Sequence, residues 1–310
     1  MLLPSSTYRI QFHSDFTFRE LQRLLDYLQT LGITTIYSSP IMKATPASKH
    51  GYDITDPHFI NPEIGTAEEL LSISCELNKR SMRWLQDIVP NHMAFHTMNY
   101  RLMDVLERGP YSSYYNYFDI DWNHPDPALT GKVMVPFLGH EWNTCLEQGD
   151  ISIGFSQQGF TLNYLENAYP LSMSAYPRLR TYFEKFSDDA MIPVILNRMA
   201  GASNGIGYEK WDSLKREFLQ GIRGVKDHDE IMERVLGRIN LDARVLQALA
   251  NDQYYRLCFW KMTDSVINYR RFFTVNELIC LRMEDEKVFN EYHRYLLSLH
   301  RDNVIHGFRI

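Results

Sequence analysis

Apolar and polar positions along the first ninety residues follow two different periods. Thr7-Tyr8-Arg9-Ile10-Gln11-Phe12 is rich in β-forming residues and predicts a first strand. Phe18, Leu21, Leu24, Leu25, Leu28 and Leu31 then recur at spacings of three and one, the mark of an apolar helical stripe. Thr17 and Glu20 frame its start as a capping box, in which each side chain satisfies a free backbone N–H. Gly32 ends it as a C-terminal cap. Ile33-Thr34-Thr35-Ile36-Tyr37 is short, β-branched and predicts a second strand. From Ser38 to Gly65 the chain is punctuated by Pro40, Pro46, Gly51, Pro57 and Pro62, which predicts a long loop. Thr66 to Glu69 repeats the capping box, Leu70, Leu71, Ile73 and Leu77 supply a buried helical side, and Arg83 to Val89 predicts a third strand. Strand, helix, strand, helix, strand argues for a parallel α/β sheet with helical crossovers, either a barrel or a doubly wound fold. No glycine-rich phosphate loop follows the first strand, so a nucleotide site is not expected there.

After His92 the rhythm breaks. Residues 93–150 read as irregular and aromatic, centred on Tyr111 to Trp122, with strands expected at Gly131 to Gly139 and at Phe160 to Tyr164. From about Tyr176 to His300 the pattern is mostly helical. Leu241, Val245, Leu246 and Leu249 share one face of a helix expected to run towards Trp260, and strand character is expected to return only at Val304.

Composition narrows the function classes. The 310 residues are 45% hydrophobic and 23% charged, enough to bury a sizeable core. A net charge of -6 argues against a nucleic-acid partner and against an anionic membrane surface. Cys75, Cys145, Cys258 and Cys280 show neither a C-x-x-C pair nor zinc-ligand spacing with His; they read as reduced, mostly buried thiols of a cytoplasmic protein. Met1 to Ser6 lacks the charged and apolar regions of a signal peptide, and no apolar run approaches a membrane span.

Three clusters carry candidate chemistry. Asp87-Ile88-Val89-Pro90-Asn91-His92 places polar groups where a buried parallel strand ends, the usual address of an α/β active site. The same residues also read as a loop cap and a structural histidine. In His50-Gly51-Tyr52-Asp53 the Tyr52 ring suits a sugar face; equally, it suits a packed turn. In Gly307-Phe308-Arg309-Ile310 an Arg on a buried strand needs an acidic partner, for which Asp87 qualifies if the third and fourth strands are neighbours; otherwise Arg309 is a surface residue at a frayed end. The Tyr111–Trp122 aromatics read either as a carbohydrate platform or as packing.

Together these segments resemble the α-amylase superfamily, glycoside hydrolase family 13. Asp87 to His92 resembles its first signature region, Gly51-Tyr52-Asp53 its upstream tyrosine motif, and Gly307 to Ile310 the opening of its second region. Ser6 to Phe12, His50 to Pro57, Phe118 to Trp122, Gly131 to Val133, and Asn268-Tyr269-Arg270-Arg271-Phe272-Phe273 with Val275 to Leu278 add matches to one branch. That branch acts as an isomerase, turning the reducing-end α-1,4 bond of a maltooligosaccharide into an α,α-1,1 bond in trehalose biosynthesis.

The resemblance implies the N-terminal half of a (β/α)₈ TIM barrel: residues 1–92 as three β/α units, 93–175 as an irregular and β-containing aromatic-rich insertion, 176–303 as a helical insertion, and 304–310 as a truncated fourth strand. It implies a retaining mechanism with two carboxylates roughly 5–5.5 Å apart. Tyr52 would stack under the sugar, with Asp53 in the same motif. His92 would hydrogen-bond sugar hydroxyls, and Asp87 and Arg309 would order the floor, Arg309 steering the nucleophile. Asn91 is a calcium ligand in many relatives, but no adequate oxygen set accompanies it, so neither metal nor cofactor is expected. In the family pattern the nucleophile follows Ile310. The chain is therefore expected to lack the catalytic carboxylates, to be inactive alone, to need a missing C-terminal part, and, with four strands of eight, to expose unpaired edges. A non-catalytic α-glucan-binding fragment and the N-terminal part of an α-glucan hydrolase are the competing readings.

Overall fold

Both capping boxes form. Thr17 Oγ1 accepts from the Arg19 N–H while Glu20 accepts from the Thr17 N–H at 3.0 Å; Thr66 Oγ1 accepts from the Glu69 N–H while Glu69 accepts from the Thr66 N–H at 3.0 Å. Gly32, just past the first helix, adopts the left-handed conformation with φ +82°, where a side chain would be strained. The computed structural model describes residues 5–186, 191–202 and 208–310. Met1 to Pro4, and with them part of the segment read for a signal peptide, lie outside the described residues, as do short stretches of the region expected to be helical.

In chain order the elements are β1 (Thr7–Ile10), α1 (Phe18–Thr30), β2 (Thr35–Ser38), β3 (Met42–Ala44), β4 (Ile54–Ile60), α2 (Ala67–Lys79), β5 (Arg83–Asp87) and β6 (His92–Ala94). There follow α3 (Tyr100–Arg108), β7 (Val133–Leu138), α4 (Trp142–Gln148), β8 (Ile151–Ser156), β9 (Gly159–Tyr164), β10 (Asn167–Pro170), α5 (Arg180–Phe186), α6 (Met191–Ala202), α7 (Tyr208–Gly224), α8 (His228–Asn240), α9 (Ala243–Asn251) and β11 (Tyr255–Phe259). The chain closes with β12 (Leu278–Cys280), α10 (Glu286–Arg301) and β13 (Gly307–Arg309). Among the described residues no helix is long and apolar enough to cross a membrane.

The residues divide into two units. The first is Met1–Tyr100, Tyr117–Asp119 and Arg271–Ile310; the second is Arg101–Asn116 and Ile120–Arg270. In the first unit a four-stranded parallel sheet runs β1-β2-β5-β13. Its register sets Tyr37 beside Leu85, Ser38 beside Gln86, and Arg309 beside Asp87, so the carboxyl ends of three strands are level. Phe12 and Trp84 stack with centroids 6.0 Å apart, and Phe18 meets Phe12 edge-on at 5.0 Å. The buried indole N–H of Trp84 donates to Gln86, whose amide donates in turn to the carbonyls of Ser39 and Asp87. A polar chain therefore runs from the core to the strand ends with its donors satisfied.

The second unit pairs β7 with β11 in parallel and builds β8, β9 and β10 as an antiparallel meander. The buried amide of Asn268 accepts from the Met134 N–H and donates to the carbonyls of Lys132 and Asp121. Glu107 accepts from Lys215 and the Trp211 indole, and Arg108 pairs with Asp104 and Asp212.

Five expectations need correction. The stretch from Ser38 to Gly65 is not one loop: β3 and β4 form an antiparallel hairpin inside it. Its register shifts at Lys43, and such bulges let a strand carry a proline that cannot donate to the ladder, here Pro57. Residues 93–150 contain α3 and α4; Leu102, Val105 and Leu106 give α3 a buried face that the surrounding aromatics mask in the sequence. The helix through Val245, Leu246 and Leu249 stops at Asn251 instead of running on, because Tyr255–Phe259 finds a parallel partner in β7. Leu241 is not on that helix face; it caps α8 and is exposed. Strand structure also returns before Val304, in β11 and β12.

Replacing Thr17 or Thr66 with Ala removes an N-cap acceptor. Each variant is expected to lose about 1 kcal/mol in urea unfolding.

Candidate functional site

β5 ends on Asp87, whose side chain has 0% exposure, and a carboxylate so buried needs donors. Three reach it. Oδ2 accepts from the Tyr37 hydroxyl at 3.1 Å and the Tyr52 hydroxyl at 2.5 Å; Oδ1 accepts from Nη1 of Arg309 at 3.2 Å. Tyr37 comes from β2 and Arg309 from β13, placed by the register, while Tyr52 comes from the turn between β3 and β4. Burial, reinforced by the hydrogen bond to Asp87, raises the Tyr52 pKa, so its hydroxyl stays a neutral donor. The hydrogen bond to Asp87 raises that of Arg309. Arg9 lies over the Tyr37 ring, 5.7 Å from its centroid.

Gly51 lets Tyr52 reach Asp87. Its φ is +75°, and a Cβ there would sit 2.7 Å from the carbonyl oxygen of Pro40. Asp53 faces backwards into this turn, where it accepts from the hydroxyls of Thr45 and Ser48 and ties the turn down.

His92 is 2% exposed. Nε2 lies 3.1 Å from the Tyr52 carbonyl oxygen, Nδ1 lies 3.1 Å from the Asn91 side chain, and the ring stacks on Phe272 at 4.4 Å and 25°. Burial lowers the imidazole pKa to about 4, with the Tyr52 carbonyl opposing the shift, so the ring is neutral at pH 7. A neutral imidazole has one N–H. A carbonyl can only accept, so Nε2 carries the proton and Nδ1 accepts; the Asn91 amide, placed with Oδ1 towards Nδ1, must then be turned over to offer its NH₂. Both ring nitrogens thus already have protein partners.

The structure gathers Tyr52, Asp87 and Arg309 around one carboxylate and joins His92 and Asn91 to them through the Tyr52 carbonyl. Asp53 stands behind as the clamp of the turn. In the Tyr111–Trp122 run Tyr115 stacks on Trp122 at 4.3 Å, and Tyr117 and Phe118 are buried. Sequence reasoning missed Tyr37 and Phe272. Tyr37 carried the same signal as Asp87, a polar group at the end of a β-branched strand. Phe272 lies in the Asn268–Phe273 stretch that resembles the family, but nothing local pointed to its partner His92, 180 residues away. Among the described residues no group of three or more His, Cys, Asp or Glu side chains is placed to hold a metal ion.

Known proteins resemble this chain over nearly all of its length. The family described as alpha amylase, catalytic domain, matches residues 18–158. A protein of Mycobacterium tuberculosis whose name places it among the maltooligosyl trehalose synthases is 28% identical over 98% of this chain. The maltooligosyltrehalose synthase structure from Arthrobacter ramosus matches 99% of this chain at 27% identity, with a TM-score of 0.69, and a glycosyltrehalose synthase structure matches 98% at 31% identity, with a TM-score of 0.68. The chain resembles the maltooligosyltrehalose synthases from end to end. It has their TIM-barrel-type α/β fold. It spans about a third of the length of these synthases, 30% of the curated relative and 31% of the Arthrobacter chain.

Gly51→Ala is expected to cost about 1–3 kcal/mol in urea unfolding, from backbone strain and the Pro40 clash. Between about pH 4 and pH 6.5 the unfolded chain binds a proton at His92 that the folded chain refuses. Stability from this residue is therefore complete above about pH 6.5 and falls as pH drops towards 4, by about 1.4 kcal/mol per pH unit. Urea titrations at several pH values should show a shallower acid slope for His92→Gln.

Proposed function

We propose that this chain supplies the N-terminal side of an α-glucan site that rearranges the reducing-end α-1,4 bond of a maltooligosaccharide into an α,α-1,1 bond. Four parallel strands, β1, β2, β5 and β13, are then half of the barrel, and the site lies at their carboxyl ends. The observation that carries the reading is the Asp87 cluster: strand-end Asp, Tyr52 and Arg309 meet within hydrogen-bonding distance, as the family resemblance requires.

Tyr52 offers its half-buried ring to the sugar while its hydroxyl is fixed on Asp87. Asp87 is not the nucleophile, since both of its oxygens already accept from three donors and its side chain is closed to solvent. Its part is to hold Tyr52 and Arg309, and Arg309 steers the attacking carboxylate. His92, buried and neutral, keeps the Tyr52 backbone in place. The nucleophile and the acid belong, on this reading, to positions that follow Ile310, so turnover requires them. Intramolecular transfer also requires the released sugar to be held and water excluded. None of the four cysteines forms a disulfide, which suits a cytoplasmic enzyme.

The test is maltopentaose turnover followed by loss of reducing ends. The 310-residue chain alone is expected to give none. A chain continued past Ile310 with the family's second region and beyond should lose reducing ends without releasing free sugar, and Tyr52→Ala in that chain should cut kcat/KM at least tenfold. Release of maltose or glucose as the main product would mean a hydrolase. Turnover by the 310 residues alone would overturn the assignment of roles.

A further inference from the structure

The loop between Arg271 and Ile279 is pinned at several points. Arg271 bridges Ile279 across it, the Phe272 N–H donates to the Leu278 carbonyl at 3.0 Å, and the Val275 N–H donates to the Phe272 carbonyl at 3.2 Å. The Arg271 guanidinium also donates to the Asn276 side chain. Within this fixed loop Phe273 has φ +53° and is 79% exposed. An exposed aromatic alone is ordinary. A bulky side chain on a left-handed backbone is not, because glycine or asparagine fits that conformation at lower cost. Strain in a well-tied segment is a feature that functional sites keep.

The position of the loop gives the strain a purpose. It leads into β12, which pairs antiparallel with β6 so that Cys280 lies opposite His92. Phe272 stacks on the His92 ring at 4.4 Å, and Phe273 lies 4.4 Å from Phe272 at 58°. The contacts therefore run from Phe273 through Phe272 and His92 to the carbonyl of Tyr52, whose hydroxyl is on Asp87. A sugar ring has an apolar C–H face, and an electron-rich aromatic face suits it.

Resting on the glucan reading above, we infer that Phe273 is a specificity-determining residue, an aromatic held out beside the Asp87 cluster to stack on a sugar of the α-glucan, and that Phe272 is the positioning residue that seats it against His92.

Calorimetric titration of the 310-residue chain with maltopentaose tests this. Phe273→Tyr should bind within about twofold of the wild type, whereas Phe273→Asn should bind about tenfold more weakly. Because Asn tolerates the left-handed backbone, the Tm of Phe273→Asn should hold or rise. Equal affinity of wild type and Phe273→Asn would overturn the inference while leaving the glucan reading intact. A Tm several degrees lower would also overturn it, since the ring would then be packing for stability. No heat from the wild type at millimolar ligand would overturn the glucan reading and this inference with it. For Phe272, the readout is the His92 titration followed by NMR: Phe272→Ala should move it upward from about 4, and no movement would sink the positioning role.

Discussion

A carboxylate with no contact with water has to be met by donors, and Asp87 is where the first unit meets that demand. Three segments converge on it: β2 through Tyr37, the β3–β4 turn through Tyr52, and β13 through Arg309. The contributions are unequal. The Arg309 side chain is 53% exposed, so solvent screens its attraction for the carboxylate. The two hydroxyls both fall on Oδ2. Through Gln86 and Trp84 the same strand end is tied to the aromatic core, so displacing Asp87 would disturb packing as well as the cluster.

Around that charge the site is arranged to stay neutral and stiff. His92 is kept uncharged by burial, and its two nitrogens are taken by Tyr52 and Asn91. Tyr52 stays protonated. Two left-handed residues frame the region: Gly51, where only glycine avoids Pro40, and Phe273, where the side chain is retained against the preference of the backbone.

Legibility in the sequence followed the range of the interactions. The capping boxes at Thr17 and Thr66 were readable because cap and partner lie three residues apart. The parallel strands at β1, β2 and β5 were readable because β-branched runs separated by helices allow few arrangements. The pairing of Arg309 with Asp87 could be stated only conditionally, since it needs β13 to neighbour β5. The β3–β4 hairpin was hidden by prolines that a bulged strand tolerates, and β11 was hidden because its helix-like surroundings are overridden by pairing with β7.

By itself, then, the amino-acid sequence determined the local elements that short-range hydrogen bonding dictates, and it marked Tyr52, Asp87, His92 and Arg309 as polar or aromatic groups at strand ends and turns. Only the tertiary structure decided how they are used. It closed Asp87 to solvent and filled both of its oxygens, turned Asp53 into the clamp of its own turn, and brought Tyr37 and Phe272 into the cluster. The reason is distance along the chain: each of those outcomes depends on partners brought together by strand register or loop closure, which no local pattern encodes.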